Sequence, residues 1–378
     1  MGILGLTNGS ERFSGMQEPA QPQPRVAVVY PIPFGEDGVF GGGERYALEL
    51  AKALARETPA RLVTFGPSAR RERTGDLDIR IHKPLHYIHD MRANPLSFGF
   101  LRDLWDVDVI HCVAWNTLVT DLSVLWAHLT RKKVFVTDVG GGASFTLTRR
   151  LPIGRWVDGF LLIAAQGGTQ FAAWRDRWSI LLAGIDTARF RPDPAVRRHG
   201  ILYVGRLLPH KGIDTLIQAV DPDVPLRIVG RPYHEKYFAL LQELASGKQV
   251  TFITTATDDE VLREYQAAAV SVLPSVNRTV YGDTTELPEL LGFTLLEAMS
   301  CGAAAVCTRV GALMEVVEDG ISGFIVPPGD TAALRDRLRR LLGDPALAAR
   351  FGAAARRRIE DVFTWERVAR RCLEAYAR

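Results

Sequence analysis

The chain alternates, twice over, between short apolar runs rich in β-branched residues and longer stretches with helical periodicity. The first series begins at Arg25 with RVAVVY, ERYALELAKALA and RLVTF, and the second begins with ILYVGR and GIDTLIQAV. Short buried strands separated by helices imply parallel sheets with right-handed crossovers. The pattern therefore predicts an α/β protein with two doubly wound sheets.

The length of 378 residues exceeds that of most single domains, so we expect two domains of roughly 150 to 200 residues each. Residues 183–200, AGIDTARFRPDPAVRRHG, combine prolines and charges and predict the interdomain linker. We expect residues 1–24 to form a flexible leader, because their Gly, Ser, Gln and Pro content disfavours a packed core. The predicted parts are the leader (1–24), a first domain (25–190), a second domain (191–360) and a C-terminal helix that packs back on the first domain (361–378).

The composition excludes several classes of protein. The 46 basic and 43 acidic residues are too balanced for a nucleic-acid-binding protein. The four cysteines lack CxxC or metal-ligand spacing and are expected to be buried thiols without disulfides, as in a cytoplasmic protein. No stretch approaches the ~18 consecutive apolar residues that a membrane-spanning helix needs.

Two groups of basic residues adjoin apolar side chains in the first domain. Such a combination can dock a protein on an anionic membrane, and the alternative is an Arg-rich surface in contact with water. Pelleting with anionic liposomes would distinguish the two. The groups are Arg131, Lys132 and Lys133, and Arg149, Arg150 and Arg155 beside Leu151, Ile153 and Trp156.

The most informative local pattern is ELLGFTLLEAMSCG, residues 289–302. Gly292 lets the backbone close on a ligand, and a helix that starts near Phe293 offers its N–H groups and positive dipole end to a diphosphate. Glu297, about one turn into that helix, is placed to accept hydrogen bonds from the hydroxyls of a ribose. Glu289 could do the same for a sugar beyond the phosphates. The alternative is a solvated pair of glutamates beside an ordinary amphipathic helix.

This pattern resembles the E-x7-E motif of the retaining family 4 glycosyltransferases, with GFTLLEAMSCG matching the run around the second glutamate. YVGRLLPHKGID likewise resembles the family's strand, Gly-Arg and Lys-Gly ahead of a helix. The resemblance implies the GT-B fold, in which two Rossmann-like domains face a central cleft. It also implies that a nucleotide sugar is the donor.

The resemblance further implies roles for particular residues. Glu297 binds the nucleotide ribose, Glu289 contacts the donor sugar, and Arg206 and Lys211 stabilise the charge of the departing diphosphate without a metal. The expected contacts of the nucleotide sugar around the turn are Gly292, Phe293, Thr294 and Leu295.

In the first domain, VFGGGERYALELAKAL places a glycine-rich turn, which includes Gly42 and Gly43, between a strand and a helix. Such a turn allows close approach of a phosphate or an acceptor, and in the resembling family it faces both. We expect Glu44 to be a first-turn helix charge and His111 to be structural.

The stretch VFVTDVGGGASF departs from the family, because Val139 stands where members generally carry a histidine near the donor sugar. Asp138 is a candidate contact of sugar or acceptor, and the alternative is a strand-end carboxylate that caps the next turn.

These features predict a retaining glycosyltransferase that moves a sugar to an unknown hydroxyl acceptor, which could be a glycan, a lipid-linked sugar or a small molecule. Prevalence in the family favours a UDP-sugar as donor. We expect same-face attack, no cofactor and no metal, because the three DxD triplets do not follow the layout of the metal-dependent fold. A catalytically degenerate homologue that binds a nucleotide sugar or a partner is the main alternative, and an epimerase is a lesser one.

Overall fold

The computed structural model describes residues 23–32, 42–139, 151–286 and 288–378. The predicted leader falls almost entirely outside the described residues, as do Gly41 in the glycine-rich turn and the basic pair Arg149 and Arg150.

The described part of the first domain carries ten strands and two α-helices. The strands are β1 (Val26–Val29), β2 (Ala60–Phe65), β3 (Arg70–Thr74), β4 (Leu77–His82), β5 (His86–Tyr87), β6 (Pro95–Leu96), β7 (Val109–Val113), β8 (Lys133–Thr137), β9 (Gly159–Leu162) and β10 (Trp178–Ile180). The helices are α1 (Gly42–Glu57) and α2 (Leu118–Thr130), and short 3₁₀ segments cover Ile88–Asp90, Gly99–Leu104, Ile153–Trp156 and Ala165–Arg177.

Eight of these strands form one sheet in the order β10-β9-β8-β7-β1-β2-β4-β3. All neighbours are parallel except β3 and β4, whereas β5 and β6 form a separate antiparallel pair. The inner strands β1 and β7 are buried along their whole length, which explains their continuous apolar sequences. The strand order reverses between β1 and β7, so the crevice of this domain opens at their carboxyl ends.

The described part of the second domain carries six strands, and its helices continue to the end of the chain. The strands are β11 (His199–Val204), β12 (Leu226–Val229), β13 (Val250–Ile253), β14 (Ala268–Leu273), β15 (Ala304–Thr308) and β16 (Gly323–Val326). The helices are α3 (Ile213–Ala219), α4 (Glu235–Leu244), α5 (Asp258–Ala267), α6 (Phe293–Ser300), α7 (Leu313–Val316), α8 (Thr331–Gly343), α9 (Pro345–Val362) and α10 (Trp365–Tyr376), with a 3₁₀ turn at Pro209–Lys211.

The second sheet is parallel throughout, in the order β13-β12-β11-β14-β15-β16. This is the doubly wound order in which a dinucleotide-binding fold reverses direction between its first and fourth strands. Ligands of such sheets bind outside the carboxyl ends of the strands at that reversal. Here the reversal lies between β11 and β14.

The last helix, α10, packs on α1 of the first domain. The rings of Trp365 and Tyr46 meet edge to face with centroids 5.3 Å apart. Tyr376 lies at hydrogen-bond distance from His111, 2.7 Å between the hydroxyl oxygen and Nδ1, and its carbonyl accepts from the Lys133 ammonium at 2.8 Å. Burial lowers the pKa of His111 to about 3, so this imidazole is neutral and ties α10 to the centre of the first sheet.

Helix α10 starts later than the expected position 361, because α9 continues to Val362. Thr364 then caps α10, its hydroxyl accepting from the backbone N–H of Arg367 at 3.4 Å. The two chain crossings between the domains lie side by side, since the N–H of Ile185 donates to the carbonyl of Phe363 at 2.8 Å.

Candidate functional site

Helix α6 begins at the strand reversal of the second sheet. Gly292 precedes it with a φ of 81°, and a Cβ at this position would approach the side chains of Leu313 and Leu273 to 2.6 and 2.9 Å. Glycine avoids both the left-handed strain and the crowding. The predicted turn and the start of the helix at Phe293 are therefore present, and the N-terminus of α6 opens toward the first domain.

Two cavities meet at this helix start. The larger cavity, of about 790 Å³, is lined by both domains, and the smaller one, of about 390 Å³, lies deeper along α6. The residues that line both are Gly42, Val204, Phe293 and Thr294. The N-terminus of α6 thus lies where the larger cavity adjoins the smaller one.

Glu289 lies on the side of the larger cavity, in a buried ion pair with Lys211. The Lys211 ammonium is 2.6 Å from Oε1 of Glu289, and the Ser275 hydroxyl donates to the same oxygen at 2.6 Å. The side chains of Lys211 and Glu289 are only 12% and 8% exposed. Such a pair is held in one geometry and presents a carboxylate and an ammonium together at the cavity wall.

Arg206 lies in the same cavity, just past the end of β11. Its backbone is held by the Tyr203 hydroxyl, which donates to the Arg206 carbonyl at 3.0 Å. Its side chain is exposed and forms no ion pair with any residue that the structure describes. Arg206 therefore offers an uncompensated positive charge to an anion at the helix start.

Glu297 lines the smaller cavity and is held from both domains. The Tyr265 hydroxyl of α5 donates to Oε2 at 2.7 Å, and the Arg45 guanidinium of α1 contacts Oε1 at 3.3 Å. Arg45 also donates to the carboxylate of Asp258 at 2.9 Å. Burial raises the pKa of Glu297, and the Arg45 charge and the Tyr265 hydrogen bond offset part of that rise.

The glycine-rich turn of the first domain faces the larger cavity, as expected. Gly42 and Gly43 line it at the start of α1, and a Cβ on Gly43 would lie 2.5 Å from the Tyr30 hydroxyl oxygen. Glu44 and Val139 line the same cavity. Val139 thus occupies the cavity position where the resemblance leads us to expect a histidine.

Asp138 and Leu295 are not brought into either cavity. The Asp138 carboxylate accepts from the backbone N–H of Trp115 at 3.1 Å and from the Gln170 amide at 2.6 Å, and these partners follow β7 and β9 rather than belonging to the turn after β8. Leu295 is 1% exposed in the core, because the third position of α6 faces the sheet. Burial excludes a contact through the Leu295 side chain, and the predicted contact of this residue with the nucleotide sugar stays a prediction.

The sequence did not identify Arg45, Asp258 or Tyr265 as residues of the site. Arg45 lies two residues after Gly43 of the glycine-rich turn, and this position is the only local signal that could have indicated it. The other two lie on α5, whose pattern is that of an ordinary amphipathic helix. His210 also lines the larger cavity, where burial and the adjacent Lys211 lower its pKa.

Within the described ranges, no group of three or more His, Cys, Asp or Glu side chains is arranged to hold a metal ion. The four cysteines are buried free thiols. Over the same ranges, none of the helices combines the length and the apolar character that crossing a bilayer requires.

Part of the chain is similar in sequence to known proteins. Residues 185–358 match the family model "Glycosyl transferases group 1". A GDP-mannose-dependent alpha-(1-6)-phosphatidylinositol monomannoside mannosyltransferase of Mycolicibacterium smegmatis is 34% identical over 200 residues, which is 48% of this chain and 51% of that protein. The chain thus spans about half the length of that curated relative.

Two further matches extend over nearly the whole chain. A D-inositol 3-phosphate glycosyltransferase of Pseudarthrobacter chlorophenolicus is 29% identical over 397 aligned positions, covering 90% of each chain. The solved structure of a sucrose-phosphate synthase from Thermosynechococcus elongatus superposes with a TM-score of 0.70 at 21% identity, covering 93% of this chain and 98% of that one. The chain therefore has the GT-B fold, and its residues 185–358 are similar to the glycosyl transferases group 1 family.

Proposed function

We propose that this chain is a glycosyltransferase that moves a sugar from a nucleoside diphosphate sugar to a hydroxyl acceptor. The observation that carries the proposal is the position of the α6 N-terminus between two cavities, with Glu289 on one side and Glu297 on the other. A diphosphate at Phe293 and Thr294 would direct its nucleoside toward Glu297 and its sugar toward Glu289. The helix dipole and the free N–H groups of the first turn favour that anion.

The charges of the larger cavity suit the departure of the diphosphate. Breaking the bond between sugar and phosphate concentrates negative charge on the leaving group, and a fixed cation lowers that barrier. Arg206 is the unpaired cation of this cavity among the described residues, and Lys211, which is held against Glu289, is the second cation there. We propose retention by same-face attack, in which a diphosphate oxygen helps to take the proton of the acceptor hydroxyl. Closure of the cleft would exclude water from the reactive sugar.

Two lines of argument favour different nucleotide sugars as the donor. Prevalence in the resembling family favours a UDP-sugar, whereas the Mycolicibacterium smegmatis relative is named for its dependence on GDP-mannose. A thermal-shift panel of UDP-, GDP- and ADP-sugars decides between them, since a ligand at 100 times its dissociation constant stabilises by about 2.7 kcal/mol.

We expect one of these donors to raise the melting temperature, and Glu297→Ala to abolish that rise, because the ribose loses its acceptor. Glu360→Ala is the matched control, because Glu360 pairs with Arg356 at the surface of α9. An undiminished rise in Glu297→Ala would move the nucleotide site elsewhere.

We propose that transfer needs no metal, since Arg206 and the α6 N-terminus can take the charge of the diphosphate. The expected result is full turnover in EDTA. Loss of turnover in EDTA, with recovery on adding magnesium or manganese, would contradict this proposal.

A degenerate homologue without turnover remains the second candidate, and Val139 in the larger cavity is the observation that favours it. Tight binding of a donor, with no nucleotide released in the presence of any acceptor, would support that candidate.

A cytoplasmic location with peripheral membrane contact also stays a proposal. Arg155 and Leu151 are exposed, and the neighbouring Trp156 stacks on His128 with ring centroids 4.8 Å apart.

A further inference from the structure

Arg45 joins the two domains at the inner end of the cleft. It lies on α1 of the first domain, two residues after Gly43, and both of its ion-pair partners among the described residues are carboxylates of the second domain. Its Nη1 is 3.3 Å from Glu297 Oε1, and its Nη2 is 2.9 Å from Asp258 Oδ2. The planar guanidinium is thereby fixed between α6 and α5.

The two oxygens of Glu297 are held by groups of different origin. Tyr265 donates to Oε2 from within the second domain, whereas Oε1 depends on Arg45 from the first domain. A carboxylate has about four lone-pair positions, so each oxygen can also accept from a ligand hydroxyl. The orientation of the carboxylate toward the smaller cavity therefore depends on both contacts.

We infer that Arg45 is a positioning residue of the nucleotide subsite, which fixes the Glu297 carboxylate for the two ribose hydroxyls when the domains are together. The inference rests on the proposed function, because it takes the ribose to be the partner of Glu297. Arg45 also supplies a compensating positive charge, without which an ionised Glu297 and a diphosphate would face the same cleft as like charges.

The alternative role for Arg45 is a purely structural latch between the domains. A latch would change the affinity for every nucleotide to the same degree, whatever its sugar. A residue that positions Glu297 would instead change the discrimination between ribose and 2′-deoxyribose. The ratio of the two affinities therefore separates the two roles, even if the variant is less stable.

The test measures, by calorimetry on the full-length chain, the affinities for UDP, GDP and ADP and for the 2′-deoxy form of whichever binds. We expect the wild type to prefer the ribose form by about tenfold or more, as a hydrogen bond to a charged group allows. In Arg45→Gln we expect this preference to fall at least about fivefold, with partial recovery in Arg45→Lys, whose ammonium can keep one contact. Glu297→Gln provides the reference for a lost preference.

Arg56→Gln is the matched control, since Arg56 lies on the same helix and pairs with Glu366 at the surface. It is expected to keep the wild-type preference. If Arg45→Gln lost affinity equally for the ribose and 2′-deoxyribose forms, or lost none, the inference would be overturned while the proposed function stayed intact. If the wild type bound none of the three diphosphates, the proposed function would itself fail, and the inference with it.

Discussion

Replacement of Lys211 by methionine is expected to destabilise the protein by about 3 kcal/mol and to lower transfer at least about 100-fold. Its ammonium is 2.6 Å from Glu289, and both side chains are nearly excluded from water. Without Lys211, the Glu289 carboxylate keeps only the Ser275 hydroxyl as a close partner among the described residues. A buried charge without its counter-ion costs more than the intact pair contributes, so the folded state becomes less stable.

A second substitution separates stability from catalysis. Adding Glu289→Gln to Lys211→Met removes the uncompensated charge, and the amide can still accept from Ser275, so stability should return toward the wild type. Transfer should stay low, because neither the cation nor the carboxylate has been restored. The measurements are urea unfolding and initial rates.

Lys52→Met is the matched control for the Lys211 variants. Lys52 pairs with Glu49 one turn away on α1, with side chains 29% and 25% exposed. A pair of this kind contributes about 0.3 to 0.5 kcal/mol, so the variant should unfold almost as the wild type does. Wild-type stability in Lys211→Met would mean that water reaches Glu289 freely.

The sequence predicted the two parallel sheets and the start of α6 because both depend on local patterns. Each strand of the second sheet reads as a short apolar run, and Gly292 marks a turn that only a residue tolerant of positive φ adopts without strain. Neither prediction required knowledge of which distant segment packs where. The same holds for the buried, unpaired cysteines, which followed from their spacing and number.

The residues that the sequence did not identify depend on contacts between distant segments. Arg45 and Glu297 are 252 residues apart, so no spacing rule could pair them. Asp138 follows a strand and could have faced the cleft, and Trp115 and Gln170 settle its direction. The burial of Leu295 has a local cause instead, because a helix turns by about 100° per residue and so carries this side chain into the core.

Arg206→Ala is expected to reduce the rate of transfer by about 100- to 1000-fold while leaving stability within about 0.5 kcal/mol of the wild type. The difference from Lys211 follows from pairing. Arg206 is exposed and has no ion-pair partner among the described residues, so its removal leaves no carboxylate uncompensated. What is lost is the uncompensated positive charge beside the α6 N-terminus, where the leaving diphosphate gains charge.

Arg197→Ala is the matched control, because Arg197 is an exposed arginine just before the start of β11, whereas Arg206 lies just past its end. We expect Arg197→Ala to leave both the rate of transfer and the stability unchanged. Arg206→Lys should recover part of the rate, since it restores a charge without the fork that binds two phosphate oxygens. If the loss in Arg206→Ala were confined to donor affinity, with an unchanged rate at saturating donor, Arg206 would bind the diphosphate equally before and during the reaction. A loss in the saturated rate would instead assign it to the charge that develops as the sugar leaves, because only interactions stronger in the transition state accelerate that step.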